Sequence, residues 1–158
     1  MSANEGSLPS QVRPSLLMAL APLTQVLAYV LDYYKRSSMT ADEEERGMKV
    51  VNDHNREVYV RYKSSLIRGR DFLNRQIWQK KSDGSFVVVA TPIESEDHPL
   101  KLGVVRGRFP LAMRLRGSAD GTTIENVIQI DFGGRVPALV TNLYVKAKRS
   151  PASSTERC

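Results

Sequence analysis

The sequence is poor in the residues that most often carry chemistry: it has one cysteine, Cys158 at its end, and two histidines, His54 and His98, in polar stretches. A single thiol cannot form a disulfide within the chain, so we expect a reducing compartment. The prenylation motif is excluded too, because it needs cysteine four residues from the end. We therefore predict no metal cluster and no cysteine–histidine catalytic pair.

Long apolar runs are also absent. The most apolar stretch, Leu16–Leu31, is shorter than the ~20 residues that a membrane-spanning helix needs. It is also interrupted by Pro22, Thr24 and Gln25. The sequence therefore predicts a soluble protein.

Signatures of nucleotide chemistry and nucleic-acid binding are missing as well. Gly133-Gly134 lacks the spacing and the Lys-Ser/Thr of a phosphate-binding loop. The basic residues are scattered, without a helix-turn-helix or zinc-finger pattern. A net charge of +6 favours anionic partners, but it does not distinguish membrane headgroups from nucleic acid. We predict a protein that is not an enzyme, has no cofactor and binds no specific nucleic acid.

A β-hairpin stands out among the features that are present. Gly69–Trp78 and Ser85–Ala90 have the β-branched and aromatic content of strands. Asp83-Gly84 supplies the positive φ that the turn between them needs. We expect the remaining strands to be arranged around this hairpin.

Strand-turn-strand patterns continue on both sides of the hairpin. Met48–Asn52 and Arg56–Lys63 precede it, and Leu102–Leu115, with a kink near Pro110, and Thr122–Phe132 follow it. Alternation in the last strand places five residues on one face: Ile124, Asn126, Ile128, Ile130 and Phe132.

Helical spacing of apolar residues marks both ends of the chain. Over Ser15–Arg36 it predicts two helices separated by Pro22, the second from Leu23 to Ser37. Pro137 would begin a C-terminal helix that continues to about Arg149. Residues 1–13 and 150–158 are predicted to be disordered tails. The sequence thus predicts one α+β domain over residues 14–149, with about six antiparallel strands packed against a long C-terminal helix.

The hairpin also carries a family resemblance. Arg70-Asp71-Phe72, Trp78 and Asp83–Val89 resemble the START (steroidogenic acute regulatory protein-related lipid-transfer) domain, and so do Val105-Arg106-Gly107 and the stretch from Thr123 to Pro137. The resemblance covers roughly residues 24–148. The family domain is longer, and its first helix, first three strands and second helix have no room here. A basic residue that many members carry falls at Gln76, with Arg75 beside it.

The resemblance implies a helix-grip fold that holds one lipid, a sterol or a phospholipid, in a hydrophobic cavity between the curved sheet and the C-terminal helix. The residues implied to contact the ligand are Gln76, Trp78, Ile124, Asn126, Ile128, Ile130, Leu139 and Leu143. Those implied to form a membrane gate are Leu66, Ile67, Lys146, Lys148 and Arg149. Arg70 and Asp71 are expected to be structural, as an ion pair at the start of the strand.

Other functions remain open at this point. A shortened domain is also compatible with a ligand-free scaffold that binds a protein partner or an anionic membrane surface. An enzyme on this scaffold, such as a cyclase, would need acid and base groups in the cavity, and the inward positions offer few. The expectation is a cytoplasmic monomer that is peripheral to membranes and contacts anionic membrane surfaces transiently.

Overall fold

The structure is a computed structural model that describes residues 11–32, 43–63 and 67–134. These residues form one helix and eight strands. In chain order they are β1 (Gln11–Ala19), α1 (Leu23–Leu31), β2 (Glu43–Asn52), β3 (Asn55–Tyr62), β4 (Gly69–Lys80), β5 (Phe86–Pro92), β6 (Val104–Arg106), β7 (Leu111–Ser118) and β8 (Gly121–Ile130).

All eight strands belong to one sheet. Seven of them follow the order β1-β8-β7-β5-β4-β3-β2, and each neighbouring pair is antiparallel. The short β6 pairs in parallel with the beginning of β4. The predicted α+β class with an antiparallel sheet is confirmed, but the sheet has eight strands in the described residues rather than about six. The predicted C-terminal helix from Pro137 lies outside those residues.

The hairpin of β4 and β5 forms where the sequence predicts it. Trp78 is in register with Val88, and the Lys81 amide donates a hydrogen bond to the Ser85 carbonyl oxygen at 2.8 Å. Gly84 takes φ of 79°, the positive value that the turn requires. Val88 has no exposed surface, so the hairpin also supplies part of the core.

The turn of this hairpin contains a carboxylate with a strongly lowered pKa. Asp83 Oδ1 accepts hydrogen bonds from the Ser85 amide at 3.0 Å and the Ser85 hydroxyl at 2.6 Å, and Asp83 Oδ2 lies 2.6 Å from Arg114 Nη2. The Ser85 hydrogen bonds first, and Arg114 second, lower the pKa of Asp83 to about 2.

We expect this turn to lose its stabilising contribution in acid. The folded pKa lies below the ordinary value of 3.8, so the contribution is complete above pH 3.8 and is lost as the pH falls towards 2. The measurement is an NMR titration of the Asp83 carboxyl. Ser85→Ala should raise its pKa more than Arg114→Gln does, and a wild-type value near 3.8 would contradict this account.

The N-terminal part of the domain departs from the sequence prediction. Residues 11–13 belong to β1 rather than to a disordered tail, and the helix predicted from Ser15 is a strand. β1 pairs with β8 at nine positions, from Gln11 with Ile130 to Ala19 with Thr122. This ladder joins distant parts of the chain, and local apolar spacing does not reveal it.

Helix α1 begins at Leu23, as predicted, and the described helix ends at Leu31. The carbonyl of Pro22 accepts hydrogen bonds from the Gln25 and Val26 amides at 3.0 Å. The helix lies across one side of the sheet: a side chain at Gly117 would contact Leu23, and Arg56 donates a hydrogen bond to the Leu31 carbonyl. We call this side the helix face and the opposite side the outer face.

Candidate functional site

The helix face carries a set of apolar side chains across the middle of the sheet, which we call the apolar layer. Strand register places them on the same face of β4, β5, β7 and β8: Phe72, Val88, Ala90, Leu111, Met113, Leu115, Ile124 and Ile128. Val88 and Leu115 have no exposed surface, and Phe72 is 8% exposed. Helix α1 lies on the same side of the sheet, next to β7 and β8.

A buried cation interrupts the apolar layer near the end of α1. Arg56 of β3 is opposite Gln76 of β4, and its Nε donates a hydrogen bond to Gln76 Oε1 at 2.7 Å. Its guanidinium carbon lies 5.0 Å from the centre of the Trp78 ring, and it also donates to the Leu31 carbonyl. Both Arg56 and Gln76 are buried. A buried positive charge therefore lies beside Gln76, on the neighbouring strand.

A second polar position on the helix face lies between β8 and β1. Asn126 Oδ1 accepts a hydrogen bond from the Ser15 hydroxyl at 2.8 Å, and Asn126 is 8% exposed. Two residues before Ile124, the Thr122 hydroxyl donates to the Ala21 carbonyl at 2.8 Å. These two hydrogen bonds attach β1 and the start of α1 to β8.

The structure brings the described ligand-contact candidates together on one face. Gln76, Trp78, Ile124, Asn126, Ile128 and Ile130 all lie on the helix face by register. The other two, Leu139 and Leu143, lie outside the described residues. Of the gate candidates, Ile67 is described and half-buried. The rest of that set lies outside the described residues: Leu66, Lys146, Lys148 and Arg149.

Arg70 and Asp71 do not form the ion pair that the sequence suggested. They are consecutive in β4, so their side chains point to opposite faces. Arg70 Nε donates to the Phe132 carbonyl at 2.9 Å on the helix face. Asp71 pairs instead with Arg106, whose Nε lies 2.7 Å from Asp71 Oδ1 and whose Nη2 lies 3.0 Å from Asp71 Oδ2. The expected ion pair is wrong, although both residues make structural contacts.

The Asp71–Arg106 pair belongs to a buried cluster on the outer face. The Tyr59 hydroxyl donates to Asp71 Oδ2 at 3.2 Å, and His98 stacks on the Tyr59 ring with centroids 4.2 Å apart. Arg106 Nη2 also donates to the His98 carbonyl at 3.0 Å. Burial and the Asp71 carboxylate raise the pKa of Tyr59 to about 12, so its hydroxyl remains a donor. The cluster holds the segment before β6 against β3 and β4.

The position after Arg106 has no room for a side chain, and glycine occupies it. A Cβ atom at this position would lie 2.4 Å from Phe72 Cε1 and 2.9 Å from the Asp131 carbonyl oxygen. The Gly107 amide also donates to the Asp71 carbonyl at 2.8 Å. The Val105-Arg106-Gly107 stretch therefore joins the outer cluster to the apolar layer.

An open groove of about 740 Å³ lies mainly on the outer face of β1, β8, β7 and β5. Its lining includes Pro14, Leu16, Val87, Ala112 and Val127. Register places these residues opposite to the helix face. Three residues of the helix face also line the groove, namely Ser15, Met113 and Asn126, so the groove adjoins the apolar layer described above.

Comparison with protein families identifies the fold. The START domain family matches residues 32–156. The chain belongs to the START family. No curated protein sequence matches the chain significantly, so the relatives that follow are known by structure.

Solved START structures share the arrangement at low sequence identity. Human STARD10 superposes with a TM-score of 0.74 at 15% identity, over 92% of this chain and 63% of that chain. A STAR-related lipid transfer protein fragment from Xanthomonas axonopodis gives 0.72 at 19% identity, over 91% of this chain and 81% of that one. The human StarD13 lipid transfer and protein localization domain gives 0.66 at 18% identity, over 84% and 68%. This START chain thus has the helix-grip fold and spans about 63% of the STARD10 chain.

Two further observations concern the described part of this START domain. Among residues 11–32, 43–63 and 67–134, no helix has the length and apolar composition that crossing a membrane requires. Within the same residues, no three His, Cys, Asp or Glu side chains come together as a metal site would require.

Proposed function

We propose that this START domain binds one lipid molecule, a sterol or a phospholipid, on the helix face and transfers it without catalysing a reaction. The observation that carries the proposal is the apolar layer from β4 to β8 in a chain that matches the START family over residues 32–156. Burying each methylene of a lipid chain on such a surface is worth ~0.8 kcal/mol. A long acyl chain or a sterol ring system would therefore supply the binding free energy.

The polar positions of the helix face give the lipid a preferred orientation in this proposal. Gln76, with the buried Arg56 beside it, would interact with the polar end of the ligand, and Trp78 would pack beside it. Asn126 offers a second polar contact near β1. Ile124, Ile128 and Ile130, together with Leu139 and Leu143, would contact the apolar part.

Membrane exchange is part of the same proposal. Leu66 and Ile67 would enter the interface between water and lipid, and Lys146, Lys148 and Arg149 would meet anionic headgroups at about 1 kcal/mol per charge. The protein would act in the cytoplasm and contact membranes transiently.

The test uses two adjacent residues of β8 that lie on opposite faces. Ile128→Lys places a charge in the apolar layer, whereas Val127→Lys places the same charge on the outer face, where Val127 is already 44% exposed. We expect Ile128→Lys to weaken lipid binding by at least about tenfold, because the charge must be desolvated when the lipid binds. Val127→Lys should bind as the wild type does.

Native mass spectrometry after exposure to mixed lipid vesicles measures this difference, with circular dichroism to show that both variants are folded. Equal lipid retention by the two variants would contradict binding on the helix face. A wild-type protein that retains no lipid but sediments with anionic vesicles would instead support the alternative, a ligand-free scaffold for a membrane surface or a protein.

A further inference from the structure

Strand β1 is an edge strand of the sheet, and one of its two backbone edges has no partner strand among the described residues. It stands at the end of the strand order and pairs with β8, and no strand within 11–32, 43–63 or 67–134 pairs with its other side. Leu16, Leu17 and Met18 are 70%, 54% and 61% exposed. Residues 14–20 contain no charge. An uncharged strand with exposed backbone and large apolar side chains favours pairing with another strand.

The opposite end of the sheet is protected against such pairing. β2 carries Glu43, Arg46 and Lys49, and its register with β3 shifts between Glu43 and Glu45 and again between Val50 and Asn52. Charges and irregular register are the features by which natural edge strands avoid association. β1 has neither in its central part, because its register with β8 is regular over all nine positions. Within the described residues, the sheet thus presents one open edge.

We propose that β1 pairs antiparallel with β1 of a second copy of this chain, about a two-fold axis at Leu17. Because the described part of the sheet has one open edge in each copy, this pairing closes as a dimer and does not continue into a fibre. The proposal goes beyond lipid binding and replaces the monomer expected from the sequence. By register Leu17 lies on the helix face beside Ile124, whereas Leu16 and Met18 lie on the outer face.

The two-fold register is compatible with every residue of the edge. Leu17 would be opposite Leu17 of the second copy, and Leu16 opposite its Met18. Pro14, which has no amide hydrogen, would be opposite Leu20 beyond the end of β1 at Ala19, where no ladder hydrogen bond is lost. Arg13, the nearest charged residue, would be in register with Ala21, so no like charges would meet across the axis.

The register can be tested by charge substitution at Leu17, which is exposed enough to accept a polar residue. Leu17→Lys and Leu17→Glu each place like charges opposite each other on the axis, so each variant alone should lose the dimer. Mixed in equal amounts they should form a dimer again. The matched control is Val50→Lys on β2, where Val50 is 65% exposed and the dimer should be unaffected.

Sedimentation equilibrium over a range of protein concentrations and salt concentrations is the measurement. The wild type should approach twice the mass of one chain as concentration rises, and more readily in higher salt, because two chains of charge +6 repel each other. A wild type that stays monomeric at every concentration would overturn the proposal. That result is also expected if the chain's own residues cover the edge of β1. A dimer that survives both Leu17 substitutions, or that Val50→Lys abolishes, would also overturn it.

Discussion

Replacing Asp71 with asparagine should lower the free energy of unfolding by about 3 to 5 kcal/mol, the cost of removing one partner from a buried ion pair. Asp71 is 1% exposed and accepts two hydrogen bonds from Arg106 and one from Tyr59. Asparagine keeps the shape of the side chain but removes the charge. The Arg106 guanidinium, only 16% exposed, would then be left without its counterion. Urea unfolding of the two proteins measures the difference.

Two controls separate the ion pair from other causes. The double variant Asp71→Asn with Arg106→Met should be less destabilised than the sum of the single variants, because the second change removes the charge that the first leaves unpaired. Asp97→Asn removes a carboxylate from an exposed pair with Lys49 and should leave the unfolding midpoint nearly unchanged. If Asp71→Asn costs no more than about 0.5 kcal/mol, the pair does not stabilise the fold as described.

Replacing Gly121 with alanine should destabilise the protein by at least about 2 kcal/mol, because strain and steric overlap add at this position. Gly121 has φ of 138°, and a Cβ atom there would lie 2.2 Å from the Ala19 carbonyl oxygen and 3.2 Å from Leu20 Cα. Both atoms belong to the backbone, so neither can rotate away. The end of β1 would have to separate from β8. Hydrogen exchange of the β1 amides should therefore become faster, together with a lower unfolding midpoint.

Gly84 offers the matched control for this substitution. It also has a positive φ, 79°, but a Cβ atom there would have no neighbour within 4 Å. Gly84→Ala should therefore cost only the conformational strain of ~1 to 2 kcal/mol, without faster exchange in β1. If the two substitutions lower the free energy of unfolding equally, the close approach of β1 to β8 does not contribute to the cost of Gly121→Ala.

The hairpins could be predicted from the sequence because their information is local. Asp83-Gly84 sets the turn, and alternation over the flanking residues sets the faces. β1 could not be predicted in this way, since its partner strand ends at Ile130 and its own residues have helical spacing. The pairing with β8, rather than local preference, determines its conformation.

Alternation of side chains along a single strand predicts which of its residues share a face, so this part of the site could be predicted from the sequence. Ile124, Asn126 and Ile128 share a face in the sequence and in the structure. Arg56 was missed because its relation to Gln76 depends on the register between β3 and β4, which no single strand reveals. Arg70 and Asp71 do not pair with each other because the side chains of consecutive strand residues point to opposite faces, which the strand assignment alone already implies.

The pairing of β1 with β8 has a consequence for the order in which the protein is made. Ser15 and Asn126, which are joined by a hydrogen bond, are 111 positions apart. During synthesis β1 therefore emerges from the ribosome long before β8 has been made. During that interval Leu16, Leu17 and Met18 have no β8 to pack beside. We expect nascent chains that end before Gly121 to be bound by chaperones through this segment, and release to follow the synthesis of β8.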